Sequence, residues 1–101
     1  MNPEDIYQNL DDDDRRLLDE LLENPSTRSI AWKRVLALLC KKLPEASRGT
    51  IVVRDDGANL RMAFRGVTTN ILLVGYQADG QFVSRFNIES LQEFFFVAGF
   101  N

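Results

Sequence analysis

Apolar positions along the chain repeat first with the period of a helix and later with that of a strand. Leu17, Leu18, Leu21 and Leu22 recur at i, i+1, i+4 and i+5, which places four leucines on one helical face. Asp11 or Asp12 is positioned to cap that helix, and the next aspartates suit the positive end of its dipole. Asn24-Pro25 ends it, because the residue before a proline is driven out of the α region. Ser26, Thr27 and Ser29 offer caps for a second helix starting within 29–33. Its stripe runs through Trp32, Val35, Leu36, Leu39, Cys40 and Leu43, with Lys33, Arg34, Lys41 and Lys42 off it and Pro44 as the stop. Trp32 and Cys40 are read as core on this pattern.

After residue 48 the period falls to two, and β-branched and aromatic residues take over. Thr50 to Arg54 reads as a strand, Asp55-Asp56-Gly57 as a turn, and Asn59 to Arg65 as the partner strand, broken by Gly66. Within that partner Leu60, Met62 and Phe64 face one way, Arg61 and Arg65 the other. Ile71 to Tyr76 is a nearly continuous apolar run suited to a central strand. Asp79-Gly80 signals a further hairpin leading into a fourth strand, Gln81 to Phe86. Asn87 is the expected cap of a closing helix with Ile88, Leu91, Phe94, Phe95 and Ala98 inward and Gly99 as its left-handed cap. The expected class is α+β, an antiparallel sheet of three to four strands with helices packed on one face, in the order α-α-β-β-β-β-α. Residues 1–10 show no period and are expected to form an irregular arm; residues 11–101 form a single domain.

Composition narrows the chemistry more than the fold. The chain has no histidine and one cysteine, Cys40. That removes imidazole acid–base catalysis, the Ser-His-Asp and Cys-His constellations, an internal disulfide and a cysteine cluster for zinc. Neither cofactor nor metal is expected, and no enzymatic activity. No apolar run approaches the roughly 18–20 residues of a membrane span, and the acidic start Met1-Asn2-Pro3-Glu4-Asp5 is unlike a targeting peptide; the cytoplasm is the expected location. Net charge is −3 but unevenly divided. Nine acids face only Arg15 and Arg16 in residues 1–23, whereas ten bases face six acids in residues 24–101.

Several of these residues carry a family resemblance. Arg16-Leu17-Leu18, Asn24-Pro25-Ser26-Thr27, Ile30, Trp32, Val35 and Ala37-Leu38-Leu39 resemble the opening of the longer members of the HicA toxin family. Ser90-Leu91 through Phe95 to Val97-Ala98-Gly99-Phe100 is similar to that family's closing helix. The resemblance implies a fold related to the double-stranded-RNA-binding domain, mRNA cleavage, and a HicB-type antitoxin as partner. Gly49 and Thr50 match the first two positions of the family's Gly-Ser-His-like signature, but Ile51 stands where its catalytic histidine belongs. Val74-Gly75-Tyr76-Gln77 matches the second, histidine-containing segment without a histidine. What the resemblance carries over is the fold and a binding surface, not ribonuclease chemistry.

Three surfaces are candidates. Arg28, Lys33, Arg34, Lys41, Lys42 and Arg48 form a basic set able to meet RNA phosphates, or simply a solvated helix face. Arg61 and Arg65, joined by Arg54 and Arg85 if those face the same way, make one sheet face arginine-rich; edge protection is the plainer role for such charges. Phe96 cannot share the inward stripe of Phe94 and Phe95, and with Phe100 it suggests self-association unless residues 1–10 cover it. The expected function is a non-catalytic binding module recognising a protein partner or RNA. The alternative is a small homodimeric protein of a mobile element or stress locus.

Overall fold

A computed structural model describes residues 1–23, 29–56, 59–72 and 82–100. It combines helices with a three-stranded antiparallel sheet of order β1-β2-β3. The elements are α1 (Pro3–Asn9), α2 (Asp12–Glu23), α3 (Trp32–Ala37), a π-helical segment (Leu38–Lys42), α4 (Leu43–Ala46), β1 (Ile51–Asp55), β2 (Asn59–Phe64), β3 (Val67–Leu72) and α5 (Arg85–Ala98). The expected second helix is one unbroken helical stretch from Trp32 to Ala46, and Pro44 does not stop it but lies in the first turn of α4.

Residues 1–10 are not irregular. Asn2 accepts a hydrogen bond from the Asp5 N–H at 2.8 Å, Pro3 occupies the first helical position, and Glu4 and Asp5 sit in the first turn. With so strong an N-terminus, two apolar anchors suffice: Ile6 and Leu10 are buried against the body. Three amide side chains then bind carbonyls of distant elements. Asn9 donates to the Ala46 carbonyl at 2.9 Å, Gln92 to that of Leu21 at 3.0 Å, and Asn87 to that of Leu72 at 2.8 Å. Each satisfies a backbone oxygen at or near the end of an element.

The π-helical segment alters which side chains of the long helix turn inward. Leu38 and Leu39 are both buried, and Leu43, five residues beyond Leu38, is buried as well. Cys40, expected in the core, is exposed, because the wider turn carries it past the apolar side. Trp32 is buried as expected.

The sheet register sorts its two faces. Ile51 pairs with Phe64, Val53 with Met62, Leu60 with Ile71, and Phe64 with Val67; these side chains point toward the helices. The β2–β3 connection is a two-residue turn at Arg65-Gly66, both with positive φ (51° and 85°), as a type I′ hairpin requires. Gly66 therefore joins two strands rather than ending a sheet segment, and β3 begins at Val67, earlier than the apolar run suggests. The expected fourth strand is not formed over its described part. Phe82 makes an isolated bridge to Ala31, and Arg85 and Phe86 already belong to α5. The cap is Ser84 and not Asn87: the Ser84 hydroxyl accepts from the Asn87 N–H at 3.2 Å, which starts the helix three residues earlier. Asn24-Pro25, Gly57, Leu73 to Tyr76, Asp79-Gly80 and Gln81 lie outside the described residues.

Candidate interaction surface

The helices all lie on one side of the sheet, so its other face carries no element of the chain among the described residues. Register assigns its rows. Val52 stands opposite Ala63, which stands opposite Thr68; Arg54 is opposite Arg61, which is opposite Asn70; Asn59 is opposite Leu72. Within the strands this face holds no carboxylate and no aromatic ring; Asp56, directly after β1 and opposite Asn59, stands at its end, its carboxylate accepting from the Asn59 N–H at 2.7 Å. Its floor forms a shallow depression of ≈ 430 Å³ running between the rows of Val52 and Arg54.

Arg54 and Arg61 are both exposed, and neither pairs with a carboxylate among the described residues. Like charges directly opposite one another across antiparallel strands repel. The two guanidiniums together present ten N–H donors and no acceptor, a field that a carboxylate or phosphate satisfies bidentately.

The remaining expected residues are distributed elsewhere. Arg65 does not join Arg61: as the first residue of the hairpin turn it leaves the outer face, and its guanidinium lies 5.7 Å from the centroid of the Phe64 ring. Arg85, in the first turn of α5, pairs with Glu89 at 3.1 Å. Lys33, Arg34 and Lys41 are exposed on the long helix. Lys42 is half-buried and shares a cleft with Asp11, Asp14, Glu45 and Arg48. The acidic run therefore sits beside the end of the basic helix and offsets part of its charge. Asp11 is held below the usual carboxylate range, chiefly by the N–H of Asp14 that it accepts at 2.9 Å, with Lys42 adding to the effect. Asp14 moves up, because burial disfavours its charge and Asp11 repels it. Arg28 lies outside the described residues.

The two candidate aromatics part company. Phe100 is half-buried, its ring 5.4 Å from that of Phe95 and 5.7 Å from that of Phe64. Its N–H bonds the Phe95 carbonyl while the Gly99 N–H bonds that of Phe96, the two bonds of a Schellman motif. Phe100 thus closes α5, with its ring packed on those of Phe95 and Phe64. Phe96 is 65 % exposed, beside the equally open Val97.

The sequence pattern put Arg65 beside Arg61 and added Arg54 only conditionally; of these, Arg54 is the neighbour the register gives. Val67, Thr68 and Thr69, β-branched residues directly after Arg65-Gly66, were the signal for the β2–β3 hairpin that takes Arg65 into a turn and off this face. Among the described residues no three His, Cys, Asp or Glu side chains converge to hold a metal ion, and no helix is long and apolar enough to cross a membrane. Comparison with family models, with curated proteins and with solved structures finds no match to this chain.

Proposed function

We propose that this chain is a non-catalytic, HicA-like binding module that engages a protein partner through the outer face of its sheet. The observation that carries the reading is the Arg54–Arg61 pair, opposed across β1 and β2 and without a carboxylate among the described residues. Arginine flanked by exposed aliphatic residues, here Val52 and Leu72, is the composition of protein interfaces. A face without aromatic rings offers bases only its two guanidinium planes to stack on, and an acidic chain lacks the broad positive field of a nucleic-acid binder. Protein is therefore favoured over RNA. Support for the HicA-like part comes from the order of elements between Trp32 and Ala98: a helix, a three-stranded antiparallel meander and a closing helix. A HicB-type antitoxin is the partner this reading names, with the cytoplasm as the place of encounter.

Two measurements test it. On coexpression with the product of the neighbouring reading frame, the wild type is expected to copurify with it and an Arg54→Glu/Arg61→Glu variant to lose it; equal recovery of both removes the face from the interaction. Gel retardation of total RNA at two salt concentrations is expected to show no retention at physiological salt. Steeply salt-sensitive retention that the same variant abolishes would replace the protein partner with RNA.

One observation favours a second reading. Phe96, Val97 and Phe86 are exposed along α5, and beside that helix a groove of ≈ 620 Å³ follows the whole length of β3. Self-association through α5 accounts for such a surface. Light scattering on the wild type and Phe96→Ser separates the two: a dimer that the substitution converts to a monomer moves the function to α5, and a monomer in both leaves the sheet face.

A further inference from the structure

The shape of the outer sheet face says what kind of partner segment covers it. Its two exposed aliphatic residues occupy opposite corners. Val52 lies on β1 in the row of Ala63, and Leu72 lies on β3 in the row of Asn59, four residues further along β2. With strands about 4.8 Å apart and a rise of about 3.3 Å per residue, the corners are separated by about 10 Å across the sheet and about 13 Å along it, roughly 16 Å on the diagonal. Arg61, on β2 in the middle row, falls at the midpoint of that diagonal, and Arg54 lies next to it.

A strand does not match these features. An extended peptide gains its hydrogen bonds at a sheet edge, whereas a sheet face is covered by a helix. At about 1.5 Å per residue, roughly 16 Å is about 11 residues, three turns, and positions i and i+11 return to the same side of a helix. The positions between them on that side, i+4 and i+7, fall over the arginine row.

Resting on the reading of this face as the binding surface, we infer that its occupant is an acidic amphipathic helix of a partner protein, about three turns long. It lies diagonally, with apolar side chains on Val52 and Leu72 and carboxylates on Arg54 and Arg61. Charge complementarity selects the sign: the strand residues of the face carry two positive charges and no negative one, and the Asp56 carboxylate at its end is engaged by the Asn59 N–H. Asn70, in the same row as the arginines, adds a donor for the same carboxylates.

The test uses the full chain and two synthetic peptides of about 15 residues. One has leucines eleven positions apart with glutamates at i+4 and i+7 between them; its isomer, of identical composition, carries the glutamates on the opposite side. Fluorescence anisotropy reports binding, and circular dichroism reports both the fold of each variant and helix formation by the peptide. The first peptide is expected to bind the wild type about tenfold more tightly than its isomer, and Arg61→Glu is expected to remove that advantage. Val52→Asp and Leu72→Asp each weaken it severalfold, whereas Arg16→Glu, exposed on α2, leaves it unchanged. If both peptides bind alike and Arg61→Glu weakens both, the helical occupant is wrong while the arginine face remains a binding surface. If Arg61→Glu alters neither peptide, the proposed function falls with it. Retention of an oligouridylate by the arginine pair in preference to both peptides overturns the protein partner in favour of RNA.

Discussion

A glycine and an aspartate show how single residues set the ends of this fold. Gly99 closes α5 with φ of 94°, a conformation an L side chain enters at a cost of about 1–2 kcal/mol. A Cβ there would also meet the Pro3 side chain at 3.4 Å, so the cap of the last helix and the start of the first are packed together. Gly99→Ala is expected to lower stability by about 1 kcal/mol in urea titrations, without altering the helix content of the folded state. Asp11 does the opposite service at the start of α2. Because its carboxyl is held below the ordinary range when folded, its contribution is complete above the unfolded value of about 3.9 and drains away as pH falls through the folded value. Asp14, shifted upward by burial, has the reverse sign: its protonation relieves a cost as pH falls. Thermal melts of Asp11→Ala should therefore lie below wild type at pH 7, the gap narrowing only as pH falls below about 3.9, while Asp14→Asn should show its largest gain at pH 7.

At the level of elements, the arginine row sets stability against binding. Opposed guanidiniums on β1 and β2 cost the hairpin a repulsion on the order of 0.2–1 kcal/mol. Arg54→Thr, which substitutes a β-branched neutral residue, is expected to raise the unfolding free energy measured by urea titration by that amount and to weaken partner binding. A stability gain with unchanged binding would show that Arg54 has no part in recognition. Elements with long apolar periods were legible in the sequence: the leucine face of α2, the inward stripe of α5 and its glycine cap, and the alternation of β2 all stand where the pattern puts them. Short-range side-chain chemistry was not. Asn2 and Pro3 make a helix of seven residues too short to show a period, Ser84 takes three residues from an expected strand, and Arg-Gly replaces the commoner Asn-Gly in a hairpin turn. The candidate surface was half legible for the same reason. Arg61 was identified from alternation alone and Arg54 only conditionally; the β1–β2 register sets the two opposite each other, while the Arg65-Gly66 turn takes Arg65 off the face.

Taken whole, the described residues share one apolar cluster that reaches from Ile6 to Phe95, so the first ten residues belong to the core as much as the sheet does. Ile6 and Leu10 are buried, and Tyr7 donates its hydroxyl to Asp19 at 2.7 Å. Burial of two such aliphatic side chains contributes about 3–6 kcal/mol, against a total of about 5–15 kcal/mol for a domain of this size. Removal of residues 1–10 is expected to bring the protein close to its unfolding midpoint at room temperature, read as a broadened thermal transition and exposed apolar surface by dye binding. The long helix from Trp32 to Ala46 is the spine against which α1, α2 and β1 rest, and its π-helical turn gives that spine one residue in reserve. Excising Cys40, whose side chain is exposed, would tighten the turn to ordinary α spacing and leave Leu39 and Leu43 three positions apart on the same side. The chain can be shortened by one residue at this point without rotating the segment beyond it, a tolerance that a regular helix does not have.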